Sequence, residues 1–343
     1  MNNAQQASNT DVDRRGLLHA GGLLAAGAAT VLGMPAVPPA SAAANGEITA
    51  EEYWTDKGNV KLYIYRKRLA PVGNEVKPVL FLVHGSTPSA RGSFDLQVPG
   101  RDYSVMDKMA SLGWDVWTMD HEGYGRSTHT NSHCGIMVGV DDLKAALPLV
   151  EKVTGQRSVM MYGQSSGAIR AGAFAMQEPG RVERLILDAF TYTGTNAPEI
   201  DRRRAAADKY RANPRRPVSL ATYLSIFNRD KPETYEPIVA QTLAAEELKH
   251  GDTVPSGTYL DMAVSMPMVD PHQVKCPVCL IRAEHDGNAS EEELLDFFKL
   301  LPSHDKQFMF LAGLTHVGML GVNRHRIWHV MQEFLAYPPA RNV

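Results

Sequence analysis

The sequence predicts an α/β protein: a mostly parallel, doubly wound central sheet with helices on both faces and an inserted helical cap. Three observations carry this. First, short continuous apolar runs alternate with helix-like stretches through most of the chain, the pattern of strands buried on both faces and joined by crossover helices. Second, the alternation stops between Thr191 and Gln273. There the chain is polar and broken by Pro198, Pro214, Pro217, Pro232, Pro237, Pro255, Pro267 and Pro271, which reads as short helices inserted between two strands. Third, Ser158-Val159-Met160-Met161-Tyr162 runs into Gly163-Gln164-Ser165-Ser166-Gly167, then into small residues at helical spacing (Ala168, Ala171, Ala175). That is a buried strand, a sharp turn and a helix in succession.

The elements follow in order. Asp13-Arg14-Arg15-Gly16 precedes a weakly apolar stretch from Gly16 to Met34, then prolines and the small-residue run Ala40–Ala44. A basic region, a short apolar region and an Ala-x-Ala-like site read as a secretory signal, and the arginine pair resembles a twin-arginine signal. Residues 1–44 are therefore expected to be an export signal, with the mature protein in the bacterial periplasm or outside the cell. Val60–Arg66 alternates like an antiparallel edge strand, and Val79–Val83 is a buried strand ending in His84-Gly85-Ser86. Tyr103–Leu112 is expected as a helix, Trp114–Met119 as a strand, Val138–Val153 as a helix and Val182–Asp188 as a strand. Inside the insertion, Ile200–Tyr210, Leu220–Phe227, Glu236–Lys249 and Thr258–Met266 have helical character. Pro277–Ala283 is again a strand. Ser290–Leu301 is a helix with Ser290 as N-cap and Glu293 as capping-box partner. Gln307–Leu311 is the last strand and Arg326–Tyr337 the closing helix. The expected domain layout is 45–190 and 274–343 as two parts of one core, with 191–273 as the cap.

Composition narrows the function classes. The 343 residues are 44% hydrophobic and 21% charged, with a net charge of -3, so no basic stripe points to nucleic acid. Once the signal is set aside, no apolar run reaches the length of a stable membrane span. The three cysteines are Cys134, Cys276 and Cys279. Cys276-Pro277-Val278-Cys279 opens a strand rather than a helix, so two packed small hydrophobes fit better than a redox pair, and two thiols do not make a structural metal site.

The chemistry-bearing candidates lie where strands end. A serine needs a base to become a nucleophile, and an acid to orient that base. Ser165 sits at the turn after its strand, at the positive end of the following helix. His316, in Ala312-Gly313-Leu314-Thr315-His316-Val317-Gly318, follows the last strand and is the candidate base. Asp286, in the loop after Ala283, is the preferred acid, with Glu284 and Asp188 as competitors. Two backbone N–H groups are assigned to stabilise an oxyanion, those of Ser166 and Ser86, with Thr87 as the near alternative to Ser86. His84 is expected only to brace its loop.

From about Val79 onward the chain resembles a serine α/β-hydrolase. His84-Gly85, Asp120-x-x-Gly123-x-Gly125-x-Ser127, Gly163-x-Ser165-x-Gly167, Asp286 and His316 occur in the family's order. The Asp120 segment is similar to that of the acylglycerol-lipase-like, proline-iminopeptidase-like and epoxide-hydrolase-like branches. The resemblance implies the α/β-hydrolase fold, an acyl-serine intermediate, a cap over the pocket, and neither cofactor nor metal. With serine rather than aspartate at the elbow, epoxide hydrolysis and dehalogenation are not expected. The leading expectation is an exported hydrolase of a small-molecule carboxylic ester or lactone. An aminopeptidase or amidase on the same Ser165, His316 and Asp286 is the alternative within enzymes, and a non-catalytic binding protein the alternative outside them. Arg202, Arg203, Arg204, Arg211, Arg215 and Arg216 make the start of the cap basic. A solvated helix face is the plainer reading, and contact with an acidic substrate the sharper one. The Met262, Met266 and Met268 stripe reads as packing before it reads as a pocket. The oligomeric state is left open.

Overall fold

The computed structural model describes residues 46–70 and 76–338, so the proposed export signal lies outside the described residues. An eight-stranded sheet forms the centre, and chain order introduces its parts. Strands β1 (Ile48–Lys57) and β2 (Val60–Leu69) make a hairpin across Gly58-Asn59 and pair antiparallel along their whole length. Next come β3 (Val79–Val83), α1 (Ala90–Phe94), α2 (Val105–Ser111), β4 (Asp115–Met119), α3 (Ile136–Thr154), β5 (Val159–Gln164), α4 (Ser166–Gln177) and β6 (Val182–Asp188). The inserted region contains α5 (Pro198–Ala205), α6 (Ala207–Ala212), β7 (Arg215–Pro217), α7 (Leu220–Asn228), α8 (Pro237–Glu247), β8 (Thr253–Pro255) and α9 (Gly257–Val264). Finally β9 (Val278–Ala283), α10 (Glu291–Leu300), β10 (Lys306–Leu311) and α11 (His325–Leu335) complete the core.

The strand order is β1-β2-β4-β3-β5-β6-β9-β10. From β4 to β10 every pairing is parallel, while β2 runs antiparallel to both β1 and β4. The α/β-hydrolase fold expected from the sequence is thus present. The chain steps from β3 outward to β4, then back across β3 to β5. This makes the β3/β5 junction a topological switch point, where an open sheet leaves a crevice at its carboxyl end. Val83 pairs with Gly163 there, so Ser86 and Ser165 leave adjacent strand ends.

Alternation along each strand divides the core. Leu62, Phe81, Val83, Met161, Leu185 and Leu280 face one layer, with α3, α4 and α10 packed over them. Tyr63, Leu80, Leu82, Tyr162, Ile186 and Ile281 face the other, under α2 and α11. Both layers are buried, which explains the uninterrupted apolar run of β3; β4 is buried throughout as well, with its two polar residues satisfied, Asp115 by Arg66 and Thr118 by the Leu82 carbonyl.

Three sequence expectations need correction. Val60–Arg66 is not at the edge; β1 lies outside it, and its half-polar ITAEEYWTDK alternation hid it from view. The stretch Ile200–Tyr210 is two helices, α5 and α6, rather than one. The loop after β3 also contains the short α1. Ser290 does cap α10, accepting the Glu293 N–H at 3.3 Å, but Glu293 does not complete a capping box. Its carboxylate turns to the loop after β6 and accepts from the Thr193 and Thr195 N–H groups at 3.0 and 2.9 Å. Cys276 and Cys279 are buried and free, as packed apolar groups would be. Among the described residues no helix is long and apolar enough to cross a membrane.

Candidate active site

The turn after β5 is tight because glycines let backbones touch. A Cβ on Gly163 would lie 2.5 Å from the Gly167 carbonyl oxygen, and one on Gly167 would lie 2.2 Å from that of Val83. Between them Ser165 is forced to φ 58° and ψ -126°, a region that non-glycine residues rarely enter. Its N–H donates to the Asp188 carbonyl at 2.9 Å, which holds the strained residue between β5 and β6. The hydroxyl is thereby carried clear of the sheet at the N-terminus of α4.

His316 arrives from the loop after β10. Its Nε2 lies 2.9 Å from Ser165 Oγ, and its Nδ1 lies 3.0 and 2.9 Å from the two Asp286 carboxylate oxygens. Burial alone would push the Asp286 carboxyl up. His316, the Asn288 N–H at 2.8 Å and the nearby Arg229 guanidinium outweigh it and bring the group down to about 2. Asp286 is therefore an anion against Nδ1, which leaves the lone pair of Nε2 facing Ser165 in the neutral ring. The competing carboxyls are elsewhere. Glu284 accepts the Gly313 N–H at 2.7 Å. Asp188 accepts the Tyr162 hydroxyl at 2.5 Å, and burial raises its carboxyl to about 7.

Ser86 and Ser166 meet beside Ser165, the Ser86 hydroxyl donating to Ser166 Oγ at 2.6 Å. Thr258 of α9 donates to Ser86 Oγ at 2.9 Å, and Arg216 of β7 reaches the Ser86 carbonyl at 2.8 Å and Thr87 Oγ1 at 2.7 Å. The inserted region thus fixes the loop after β3. His84 braces the same loop: it is fully buried, its Nδ1 bonds the Gly85 carbonyl at 2.8 Å and its Nε2 accepts the His121 N–H at 3.1 Å. Burial, with His121 and Arg170 nearby, holds its pKa well below the ordinary value. The Asp120 segment shapes the neighbouring loop, as the Asp120 carboxylate accepts from the Ala90 and Arg126 N–H groups at 2.8 Å each.

Sequence reading missed several supports. Asn288 places its amide nitrogen 3.3 Å from His316 Nε2. Asp230, just after α7, accepts the His316 backbone N–H at 3.2 Å and is itself gripped by Arg229 at 2.9 and 3.0 Å. Nothing in their local sequence marks them; only their tertiary contacts with His316 do, Asn288 from the loop after β9 and Asp230 from the inserted region. The basic residues at the start of the cap also divide. Arg202, Arg204 and Arg211 are exposed, whereas Arg203 and Arg216 are buried at 5% and 9% exposure, so a uniformly solvated face is the wrong picture.

A cavity of about 60 Å³ opens beside Ser165, lined in part by Thr87, Ser93, Leu243, Tyr259, Val317 and Leu320. At roughly 10–15 Å³ per enclosed water it accommodates only a handful of atoms. A cleft of about 560 Å³ adjoins it and shares Arg203, Ile226, Arg229 and Tyr259 with it. No group of three or more metal-ligating side chains occurs among the described residues.

A family model described as serine aminopeptidase, S33, matches residues 75–320. None of the curated proteins compared with the chain matches it. Among solved structures, a carboxylesterase from Bacillus subtilis is 15% identical with a TM-score of 0.60, the match covering 85% of this chain and 93% of that one. An epoxide hydrolase from Vigna radiata is 16% identical with a TM-score of 0.61, covering 83% and 97%. An enol-lactonase from Burkholderia xenovorans is 14% identical with a TM-score of 0.59, covering 82% and 99%. At these identities the likeness is one of fold.

Proposed function

Because the chain belongs to the α/β-hydrolase family of S33 serine aminopeptidases, we propose that it is an exported serine hydrolase that cleaves a carboxylic ester or lactone through an acyl-serine intermediate. The observation that supports this reading is the continuous contact from Asp286 through His316 to a strained, cavity-facing Ser165. In this mechanism His316 Nε2 takes the Ser165 proton as Oγ attacks the carbonyl carbon. The backbone N–H groups of Ser86 and Ser166 hold the oxyanion, and the Asp286 carboxylate stabilises the imidazolium. Collapse of the tetrahedral intermediate breaks the bond to the alcohol, which leaves with the proton from His316. Water then enters; His316 takes its proton, hydroxide adds to the acyl carbon, and Ser165 departs with that proton.

The family's description favours a second reading, an aminopeptidase or amidase on the same residues. A substrate with a free amine wants an unpaired carboxylate near the nucleophile. Among the described residues the inner cavity is lined by Arg203 and Arg229 and by no carboxylate. The acidic groups of the cap are engaged elsewhere or already paired: Glu236 holds Arg101 and Tyr103, Glu246 holds Lys249, Glu247 holds Ser89, and the nearer Glu199 and Asp230 pair with Arg202 and Arg229. This favours the ester.

The test is hydrolysis of p-nitrophenyl acetate, butyrate and octanoate beside amino-acid p-nitroanilides, with Ser165→Ala as the paired protein. Ester turnover that falls at least ~10⁴-fold in Ser165→Ala is expected. Undiminished turnover in that variant overturns the mechanism, and turnover of anilides alone transfers the assignment to the second reading. A fluorophosphonate that fails to label the folded protein would instead support a binding protein with this fold.

A further inference from the structure

The cleft that continues from the inner cavity carries more positive charge than its own carboxylates balance. Arg202, Arg203, Arg216 and Arg229 line it, and Glu199 is the carboxylate on that lining among the described residues. Glu199 pairs with Arg202 and lies 3.6 Å from Arg229, which is already forked onto Asp230. Among the described residues Arg203 and Arg216 have no carboxylate in ion-pair range. Arg203 is 5% exposed, and the acceptor recorded for its guanidinium is the Met262 sulfur at 3.3 Å. Arg216 gives one nitrogen to the Ser86 carbonyl and Thr87 Oγ1, while its buried Nε has no partner among the described residues. Both guanidinium carbons sit over the Tyr259 ring, at 4.5 and 4.1 Å from its centroid.

Two buried guanidiniums with no carboxylate partner among the described residues are costly, because their few acceptors and the Tyr259 ring replace only part of the hydration that burial removes. The surplus is also felt by Tyr259. Burial would push its hydroxyl up, but Arg216, Arg203 and a Thr87 hydrogen bond bring it down to about 7. Even fully ionised, that tyrosine supplies one negative charge against two positive ones. A planar carboxylate matches the guanidinium fork in shape and charge. The inner cavity shares Arg203, Ile226, Arg229 and Tyr259 with this cleft, so a substrate held at Ser165 has the charged cleft directly beside it.

We propose that Arg203 and Arg216, flanking Tyr259, bind a free carboxylate on the substrate, making the protein a hydrolase of acidic esters. The inference rests on the ester-hydrolase reading and narrows its substrate class. Arg216 also ties the carboxylate site to the loop that carries Ser86, so an acidic substrate seats against the same guanidinium that positions an oxyanion donor.

The test compares mono-p-nitrophenyl esters of glutaric, adipic and suberic acid with their methyl diesters, using Ser165→Ala to subtract background hydrolysis. The wild type is expected to favour at least one acid over its neutral diester by tenfold or more in kcat/KM. Arg203→Met is expected to lower that ratio at least tenfold, and Arg203→Lys to restore part of it. Equal rates on acid and neutral esters, with Ser165-dependent turnover intact, would overturn the carboxylate site and leave the ester-hydrolase reading standing. If neither ester is turned over, the hydrolase reading fails separately, and calorimetry with free adipate decides the anion site: binding that weakens in Arg203→Met supports it, and no binding to the wild type overturns it. Should Arg203→Met not fold, competitive inhibition of the wild type by adipate but not by adipamide carries the same decision, and equal inhibition by both refutes the site.

Discussion

Gly167→Ala probes how closely the candidate nucleophile depends on backbone contact. A Cβ at position 167 would sit 2.2 Å from the Val83 oxygen, 2.5 Å from the His84 oxygen and 2.8 Å from the His84 carbonyl carbon. These are backbone atoms and have no rotamer to escape into. The start of α4 must therefore part from the end of β3 by at least about 0.8 Å before the nearest contact reaches 3.0 Å. That displacement falls on Ser166, the preceding residue, and on Ser165 beside it. A shift of about 1 Å in a reacting group costs ~10²-fold, and loss of one oxyanion donor ~10²–10³-fold. The expected result is a kcat lowered ~10²- to 10³-fold and a protein destabilised by ~1–3 kcal/mol through overpacking. Steady-state hydrolysis of p-nitrophenyl butyrate and denaturant unfolding measure the two. Gly180→Ala, where a Cβ would meet nothing within 4 Å, is the matched control and should leave both unchanged. A folded Gly167→Ala protein with wild-type kcat would refute the argument that close backbone approach sets this site.

Two further outcomes separate the roles of the acids. Asp286→Asn removes the anion that faces His316 Nδ1, and kcat is expected to fall ~10⁴-fold with KM changed only a few-fold; Glu284→Gln, which removes a charge but keeps an amide oxygen for the Gly313 N–H, should stay within about tenfold, and comparable losses in both would contradict the assignment of Asp286. Glu247 of α8 joins the cap to the loop after β3, accepting from the Ser89 N–H and hydroxyl at 2.8 and 2.7 Å. Burial, the largest influence, lifts its carboxyl to about 8 against the pull of those donors, with Asp120 adding to the rise and Arg126 opposing it. A carboxyl raised in the folded state gives stability that is complete below its ordinary value near 4.5 and is lost as the pH climbs through about 8. Glu247→Gln should match the wild type at pH 5 and exceed it by roughly 2–4 kcal/mol at pH 9, read by denaturant unfolding at both pH values; parallel pH profiles would show that Glu247 is ionised throughout.

Much of the fold was legible because its signals are local. Buried strands such as Val79–Val83 need apolar side chains on both faces, and a sharp strand-to-helix turn needs glycines at Gly163 and Gly167, so both leave a mark within a few residues. The edge strand β1 left none. Exposed on one face, ITAEEYWTDK turns Ala50, Glu52, Trp54 and Asp56 outward and has no continuous apolar run. Glu293 shows a local rule losing to tertiary competition: its spacing from Ser290 suits a capping box, yet three donors in the 193–195 loop claim its carboxylate.

The sequence by itself determined the order of the buried parallel strands and the longer helices between them, the strained serine turn, and the supply of an acid and a base at later strand ends. These follow from periodicity, glycine sterics and chain order, which are properties of short segments. Only the tertiary structure decided that Asp286, rather than Glu284 or Asp188, meets His316, since all three leave strand ends and differ in where a loop carries them. Only it turned Arg203 and Arg216 inward while Arg202, Arg204 and Arg211 stayed in solvent. A helix's inward face is set by what it docks against, and that partner lies far away in the chain, where no local pattern can encode it.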